Sequence, residues 1–184
     1  MLTITRHGQT DWNSQGRIMG WCDEPLNNTG LQQAKETAAL LKDHHFDLVI
    51  CSPLLRARQT AEIILKDREV PVICDERIIE RDFGEFDGLM KSEFNYADLW
   101  DYHKNCKYEK AENIQDFFRR IYAFLDDIRK QYPDKDILLV THGGVSMPIE
   151  CYFRGNIPEG TLGGKGISLK NCQFRDYIFT DEDK

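Results

Sequence analysis

The chain has 184 residues, of which 41% are hydrophobic and 30% charged, a composition typical of one globular domain with a sizeable core. Its net charge of −7 argues against general nucleic-acid binding, which needs a basic face. A negative net charge is still compatible with a small anionic ligand, because a local cluster of arginines can oppose the overall field. No apolar run approaches the roughly 18 residues of a membrane span.

The six cysteines are scattered, and none of them form a C-x-x-C pair. This spacing fits reduced thiols in a cytosolic protein better than a disulfide framework or a zinc site. Met1 leads directly into the first predicted strand, so we expect no signal peptide. The sequence therefore predicts a cytoplasmic protein.

The first predicted strand covers residues 2–5, where apolar and hydroxyl side chains alternate before Gly8 marks a turn. Arg6 and His7 stand side by side at its end. Arginine offers a planar fork of donors suited to phosphate, and its charge disfavours protonation of the neighbouring imidazole. We expect His7 to be neutral and nucleophilic near pH 7. Taken alone, the tripeptide Arg6-His7-Gly8 more often marks an ordinary strand end with a surface arginine than a catalytic site.

Strands and helices alternate along the rest of the chain, after a polar, turn-rich stretch over residues 11–28 that is predicted to be a functional loop. This alternation predicts a single α/β domain over 1–184 with a mostly parallel sheet and helices on both faces. Further strands are predicted over 46–51, 70–74, 136–141, 167–169 and 173–179. Helices are predicted over 29–44, over 53–65 with Ser52 as N-cap, and over 91–104, 113–131 and 145–153. Residues 180–184 are predicted to fray.

Ligands of parallel sheets bind beyond the carboxyl ends of the strands, and several cationic or imidazole side chains follow such ends here. The first strand ends at Arg6 and His7, the second ends one helical turn before Arg56, and the late strand ends at His142-Gly143-Gly144. Helix N-termini at the same edge would also attract an anion. Each feature has an ordinary structural explanation, but their joint occurrence favours one anion pocket.

Three other kinds of site fit the sequence less well. A metal ion would be repelled by Arg6 next to His7. A serine nucleophile on a Gly-x-Ser-x-Gly turn is absent, and so is a phosphate loop of the Gly-x-x-x-x-Gly-Lys type. What remains is a metal-free pocket for a phosphate dianion with a histidine nucleophile.

Several sequence blocks occur in an order known from one enzyme family. They are TRHGQT at 5–10 with Trp12 and Asn13, Gly20-Trp21, SPLLRARQTA at 52–61, ERDFG at 80–84, and THGG at 141–144. On these blocks the chain resembles the histidine phosphatase superfamily, which contains cofactor-dependent phosphoglycerate mutases and many phosphomonoesterases. The resemblance implies a three-layer α/β/α sandwich with a small helical cap over about residues 85–112.

The resemblance also implies a role for each matching residue. His7 would attack phosphorus and form a phosphohistidine, which splits one difficult step into two. Glu80 would protonate the leaving alkoxide and later activate water. No metal and no cofactor are implied. The residues that would hold the phosphoryl group are Arg6, Arg56 and His142, with Asn13 and Gly143 as further substrate-binding residues.

The chain departs from the mutase pattern at two positions, which favours a phosphatase. The mutases carry a threonine where this chain has Met19 and a tyrosine where it has Phe83, whereas Lys91 matches a substrate-binding lysine of the mutases. A mutase therefore stays open as the alternative. A phospholigand-binding module that has lost catalysis is another alternative. The presence of both His7 and Glu80 argues against it, because a binding module needs neither a nucleophile nor an acid.

The expected substrate is a small phosphorylated metabolite, either α-ribazole phosphate or one of a range of sugar phosphates. The aromatic residues of 85–112 could stack on a substrate ring, but packing within the cap is favoured. We expect no nucleic-acid or membrane partner, and the sequence leaves a homodimer open.

Overall fold

The structure is a computed structural model that describes residues 1–163 and 165–179. Its centre is a five-stranded sheet with the strands β1 (Leu2–Arg6), β2 (Leu48–Cys51), β3 (Val72–Cys74), β4 (Ile137–Thr141) and β5 (Phe174–Tyr177). The order across the sheet is β3-β2-β4-β1-β5. All neighbours pair in parallel except β5, which runs antiparallel to β1 at one edge.

Strands β2 and β4 are continuous apolar runs, as expected for strands covered on both faces. Every residue of β4 is buried. Because successive side chains of a strand alternate, Leu138 and Val140 pack into one apolar cluster while Ile137 and Leu139 pack into the other. The core of the protein therefore lies in two layers, one on each side of the sheet.

Helices cover both faces of the sheet. In the described residues they are α1 (Asp11–Gln15), α2 (Asn28–Leu40), α3 (Leu55–Ile64), α4 (Tyr96–Leu99), α5 (Ile114–Gln131) and α6 (Gly143–Arg154). Helices α2 and α3 pack together on one face, and α5 and α6 pack together on the other. This confirms the predicted α/β/α sandwich with a mostly parallel sheet.

The predicted helix over residues 91–104 is wrong, because only the single turn of α4 forms there. The carbonyl of Leu99 accepts a hydrogen bond from Arg81, and the carbonyl of Trp100 accepts one from the backbone nitrogen of Leu162 at 2.8 Å. These long-range partners replace the hydrogen bonds that would continue the helix. The segment 85–112 consequently consists mainly of turns rather than of cap helices.

Two further local predictions are wrong for related reasons. Ser52 is not the N-cap of α3, which begins at Leu55 with Leu54 at the N-cap, and the Ser52 hydroxyl lies 2.6 Å from His142 Nε2. Residues 167–169 form no strand, since the nitrogen of Leu169 donates to Ser146 Oγ and its carbonyl accepts from Arg6. In both places, side chains from distant parts of the sequence form hydrogen bonds that the local sequence pattern does not predict.

The polar stretch after β1 contains the short helix α1, which sequence analysis treated as loop. Thr10 caps it by accepting from the nitrogen of Asn13, whose side chain in turn accepts from the nitrogen of Thr10. The predicted frayed tail over 180–184 lies outside the described residues. No helix in the described part of the chain is long and apolar enough to cross a bilayer.

Candidate active site

The carboxyl ends of three neighbouring strands, β2, β4 and β1, bring the predicted residues together at one edge of the sheet. His7 follows β1 and His142 follows β4, and their ring centroids lie 5.2 Å apart. Arg56, in the first turns of α3 after β2, reaches His7 Nε2 with its Nε at 3.3 Å. Parallel pairing thus converts three separate sequence motifs into one cluster.

His7 is held in a single neutral tautomer. Its Nδ1 lies 2.7 Å from the carbonyl oxygen of Gly8, so Nδ1 carries the proton and donates it. Nε2 then keeps its lone pair, and it accepts the long hydrogen bond from Arg56. Burial lowers the pKa of His7 well below 6.5, and the charges of Arg56 and Arg6 lower it further. The imidazole is therefore uncharged at neutral pH, with an unprotonated Nε2.

Arg56 is completely buried, and each of its three guanidinium nitrogens donates a hydrogen bond. Besides His7, it donates to the carbonyls of Cys22 at 2.7 Å and Gly20 at 2.8 Å. Burial lowers its pKa to about 10, which still leaves it charged at neutral pH. Arg56 therefore fixes the loop after α1 against the nucleophile and supplies positive charge next to it.

Arg6 places its guanidinium against the start of α6. Its Nη1 donates to the carbonyl of Leu169 at 3.1 Å, whereas its buried Nε has no partner within the described structure. A Cβ at position 143 would lie only 3.1 Å from Arg6 Cζ, so Gly143 provides the room for this side chain. The free donor capacity of Arg6 faces the cavity described below.

Glu80 is a buried carboxyl group in a loop, seated by two backbone amides. Its Oε1 accepts from the nitrogen of Arg81 at 2.9 Å and its Oε2 from the nitrogen of Gly144 at 3.0 Å. These hydrogen bonds and the nearby arginines favour the charged carboxylate, but desolvation is the larger effect and raises the pKa of Glu80 above 4.5. The environment therefore favours a carboxylic acid that can give up a proton.

His142 is oriented by Ser52 rather than by a backbone group. Ser52 Oγ lies 2.6 Å from His142 Nε2 and also accepts from the nitrogen of Leu54 at 3.4 Å, and we assign the Ser52 hydroxyl proton to the hydrogen bond with Nε2. His142 Nδ1 then carries a proton and has no partner within the described structure. Burial lowers the pKa of His142 well below 6.5, and the charge of Arg56 lowers it further. The ring is thus a neutral donor beside His7.

Asn13 and Asn171 connect the helix α1 to the loop of the nucleophile. Asn171 Nδ2 donates to the carbonyl of His7 at 3.0 Å and to Asn13 Oδ1 at 3.1 Å. Asn13 Oδ1 also accepts from the nitrogen of Thr10. With its oxygen engaged twice, Asn13 has its Nδ2 to offer as a donor, and the residue lines the cavity.

These groups surround a cavity of about 120 Å³, a size suited to a small polar ligand. Five of the seven predicted site residues line it, whereas Arg56 and His142 contact His7 but are not among the lining residues of the cavity. The five predicted residues that line the cavity are Arg6, His7, Asn13, Glu80 and Gly143.

The outer wall of the cavity combines apolar and cationic side chains. Met19 and Phe83, the two positions that depart from the mutase pattern, both line it. Lys91 lines it as well, and its ammonium lies 5.0 Å from the centre of the Tyr96 ring. Burial lowers the pKa of Lys91 and the charge of Arg6 lowers it further.

The aromatic residues of 85–112 divide into two groups. Phe86 packs against Phe94 at 4.7 Å and against Tyr108 at 4.9 Å between ring centroids, so the packing interpretation is right for these rings. Tyr96 and Trp100 instead reach the cavity wall. A substrate would therefore meet two of the aromatic rings.

Sequence analysis assigned no site role to three residues that hold the site. Gly144 donates to Glu80, the indole nitrogen of Trp21 donates to the carbonyl of Glu80 at 2.8 Å, and Asn171 holds the loop of His7. Gly144 and Trp21 lie within the sequence blocks that carry the resemblance. No local pattern indicated Asn171, because its partners lie more than 150 residues away.

In residues 1–163 and 165–179, no group of three or more His, Cys, Asp or Glu side chains is placed to hold a metal ion. The cysteines described there are all free thiols.

Comparison with known proteins decides the family. A family model described as the histidine phosphatase superfamily (branch 1) matches residues 2–183. The chain belongs to this superfamily. The Bacillus subtilis phosphatase PhoE is 35% identical over 158 residues, covering 86% of this chain and 79% of PhoE. The Escherichia coli adenosylcobalamin/alpha-ribazole phosphatase is 30% identical, covering 95% of this chain and 93% of that protein.

Solved structures of this superfamily share the fold. A mutant phosphoserine phosphatase from Entamoeba histolytica in complex with phosphoserine matches with a TM-score of 0.80 and 31% identity, covering 94% of this chain and 87% of that one. Proteins named as phosphoglycerate mutases match this chain too. The relatives of this histidine phosphatase therefore include phosphatases of small phosphorylated metabolites and mutases.

Proposed function

We propose that this chain hydrolyses a small phosphomonoester through a phosphohistidine formed on His7, without a metal ion. The observation that carries the proposal is the tautomer of His7. Its Nδ1–H donates to the carbonyl of Gly8, its pKa is lowered, and the lone pair of Nε2 is available at the cavity. A buried carboxyl group with a raised pKa, Glu80, lines the same cavity.

In the first step, His7 Nε2 attacks phosphorus while the bond from phosphorus to the ester oxygen breaks. The leaving alkoxide takes the proton of Glu80, which becomes a carboxylate. Arg6 and the Nδ2 of Asn13 hold phosphoryl oxygens, while Arg56 contributes charge and His142 contributes a donor next to His7. The phosphoryl group displaces the weak hydrogen bond between Arg56 and Nε2.

In the second step, the Glu80 carboxylate takes a proton from water as the water oxygen attacks phosphorus. The bond between phosphorus and Nε2 breaks, and its electron pair returns to His7. Inorganic phosphate leaves, and Glu80 is again protonated. Each residue is restored, so the cycle needs no external cofactor.

The charge around His7 supports a reaction without a metal. Arg6 and Arg56 place two fixed cations beside the nucleophile, which opposes a bound cation at the same point. The guanidinium groups can instead neutralise the charge on the phosphoryl oxygens.

The wall of the cavity favours hydrolysis over the mutase reaction, in which the phosphoryl group moves from one position of the substrate to another. Met19 and Phe83 present no hydroxyl group to hold a bisphosphorylated intermediate, although Lys91 offers a cation. The mutase is the second candidate because of Lys91. A mutase would convert 3-phosphoglycerate into its isomer in the presence of a bisphosphoglycerate primer, whereas a phosphatase would release phosphate.

The proposal extends to partners and location. The small cavity supports a single-metabolite substrate, and the net charge of −7 speaks against nucleic acid. Free thiols support a cytoplasmic location. A homodimer remains part of the proposal, and sedimentation measurements test it.

The decisive experiment measures release of p-nitrophenolate from p-nitrophenyl phosphate in the presence of a chelator. We expect turnover that vanadate inhibits and that the His7→Ala variant lacks. Wild-type protein quenched in alkaline detergent should carry a phosphoryl group that is stable to base and lost in acid, and this variant should not form it. Lack of turnover over a broad panel of phosphomonoesters would refute the enzyme, and dependence on added divalent metal would refute the metal-free mechanism.

A further inference from the structure

Outside the cavity, the guanidinium of Arg120 in α5 reaches the backbone segment that carries Glu80. Its Nη1 donates to the carbonyl of Arg77 at 2.7 Å and to that of Ile79 at 3.0 Å, and its Nη2 lies 3.5 Å from the carbonyl of Glu80. One side chain thus binds three carbonyl groups within four residues. The last of these residues lie in irregular backbone, where such hydrogen bonds select one conformation.

Glu112 fixes the guanidinium in turn. Its Oε1 accepts from Arg120 Nε at 2.9 Å and its Oε2 from Nη2 at 2.8 Å, a two-point ion pair in which both side chains are about four-fifths buried. The backbone of Glu112 also bonds to both residues that follow Glu80. Its carbonyl accepts from Arg81 Nε at 2.9 Å, and its nitrogen donates to the carbonyl of Asp82 at 2.8 Å.

We propose that Arg120, held by Glu112, is the positioning residue for Glu80. Arg120 touches neither the carboxyl group of Glu80 nor the cavity, so it acts on the backbone from which that carboxyl group extends. Trp21 holds the same carbonyl of Glu80 from the other side, at 2.8 Å. The proposal rests on the acid role of Glu80 in the proposed function.

The test compares two substrates whose leaving groups differ in their need for a proton. The leaving group of glycerol phosphate is a basic alkoxide that needs a proton. The leaving group of p-nitrophenyl phosphate is p-nitrophenolate, which leaves without protonation. The parameter is kcat/KM, which reports the first phosphoryl transfer. For Arg120→Lys, which keeps the charge, we expect a loss of about 10- to 100-fold with glycerol phosphate and of no more than about threefold with p-nitrophenyl phosphate.

Two further variants complete the comparison. Arg119→Lys is the matched control, because Arg119 is the neighbouring arginine of α5 and its only partner among the described residues is the exposed Asp116. It should leave both substrates unchanged. Trp21→Phe keeps an aromatic ring but removes the N–H donor. Its loss of kcat/KM with glycerol phosphate should be smaller than that of Arg120→Lys, and p-nitrophenyl phosphate should again be affected less. It also serves if Arg120→Lys does not fold, as judged by circular dichroism.

The alkaline side of the pH profile with glycerol phosphate adds a second readout. Because Arg120 binds backbone carbonyls, Arg120→Lys should lower the height of the profile without moving its alkaline limb. Equal losses with both substrates in Arg120→Lys and Trp21→Phe would overturn the positioning role and leave a general structural one. The proposed function itself fails only if wild-type protein hydrolyses no phosphomonoester or if His7→Ala keeps the activity.

Discussion

The backbone nitrogen of Gly144 donates to Glu80 Oε2 at 3.0 Å, and no side chain fits between these two residues. A Cβ at position 144 would overlap Glu80 Oε1 and would lie 2.8 Å from Trp100 Cη2. At the preceding position, a Cβ would lie 3.1 Å from Arg6 Cζ. The two adjacent glycines at the start of α6 therefore make room for two different groups, Glu80 and the guanidinium of Arg6.

Alanine at these two positions should have different effects on catalysis. Gly144→Ala displaces the acid, so kcat/KM for glycerol phosphate should fall by about 10²- to 10⁴-fold, the usual contribution of general acid catalysis, and much less for p-nitrophenyl phosphate. Gly143→Ala disturbs phosphate binding by Arg6 and should lower kcat/KM for both substrates alike. The same substrate ratio in both variants would contradict this assignment.

The pH dependence of kcat/KM should show the ionisation of Glu80 when wild type is compared with Glu80→Gln. The raised pKa keeps Glu80 protonated above pH 4.5, and its acid function is lost as the pH rises through that pKa. Glutamine cannot supply a proton at any pH. With glycerol phosphate, the ratio of wild-type to variant kcat/KM should therefore decrease with rising pH.

Taking the ratio removes two effects that both proteins share, the second ionisation of the substrate near pH 6 and the titration of His7. The lowered pKa of His7 should keep the wild-type acid limb below pH 6.5. A ratio that does not change with pH would show that Glu80 is not the acid.

The buried histidines should make the stability of the fold depend on pH. His7 and His142 both have a pKa well below 6.5 in the folded protein, so below pH 6.5 the unfolded chain binds protons that the native chain does not. The free energy of unfolding should then fall with decreasing pH, by up to about 1.4 kcal/mol per pH unit for each histidine. Above pH 6.5 this contribution is fully present.

Urea unfolding at several pH values between 5.5 and 7 checks this slope. In His7→Asn the amide can replace the Nδ1–H donor to Gly8, and in His142→Gln it can replace the contact to Ser52. Each variant should have a shallower slope than wild type. Glu80 contributes with the opposite sign, since its raised pKa favours the folded state at low pH, but it does so in all three proteins. Identical slopes would contradict the prediction.

The sequence predicted the residues that follow strands directly, because a strand end places its next side chain at a known edge of the sheet. His7 and His142 are of this kind, and Arg6 is the last residue of β1. It could not predict the hydrogen bonds from Arg120 to the Glu80 segment, which join parts of the chain about 40 residues apart. The location of Glu80 in the site came from family resemblance, since a loop carboxyl has no periodic pattern.

The wrong helix over 91–104 has the same origin. Its residues have helical spacing, but the carbonyls of Leu99 and Trp100 find partners in Arg81 and Leu162 instead. Contacts that form only in the folded chain decide this segment. Local pattern was sufficient for α5 and β4, whose apolar faces are long and continuous.

Ser52 should prove important for catalysis although it does not line the cavity. Its hydroxyl proton goes to His142 Nε2, which keeps the proton of His142 on Nδ1. In Ser52→Ala the ring loses this partner and can place its proton on either nitrogen. Where Nδ1 is unprotonated, its lone pair repels a phosphoryl oxygen. Loss of this buried hydrogen bond should lower kcat/KM for both substrates by roughly 10- to 100-fold.

The control for this substitution is Ser14→Ala, which removes an exposed hydroxyl bonded only to the carbonyl of Asp11 at 2.7 Å and should leave kcat/KM unchanged. The tautomer can be read directly from the ¹⁵N chemical shifts of His142 in labelled protein. We expect wild type to show a protonated Nδ1 and an unprotonated Nε2, and Ser52→Ala to show a mixture. A protonated Nε2 in wild type would contradict the donor role of His142.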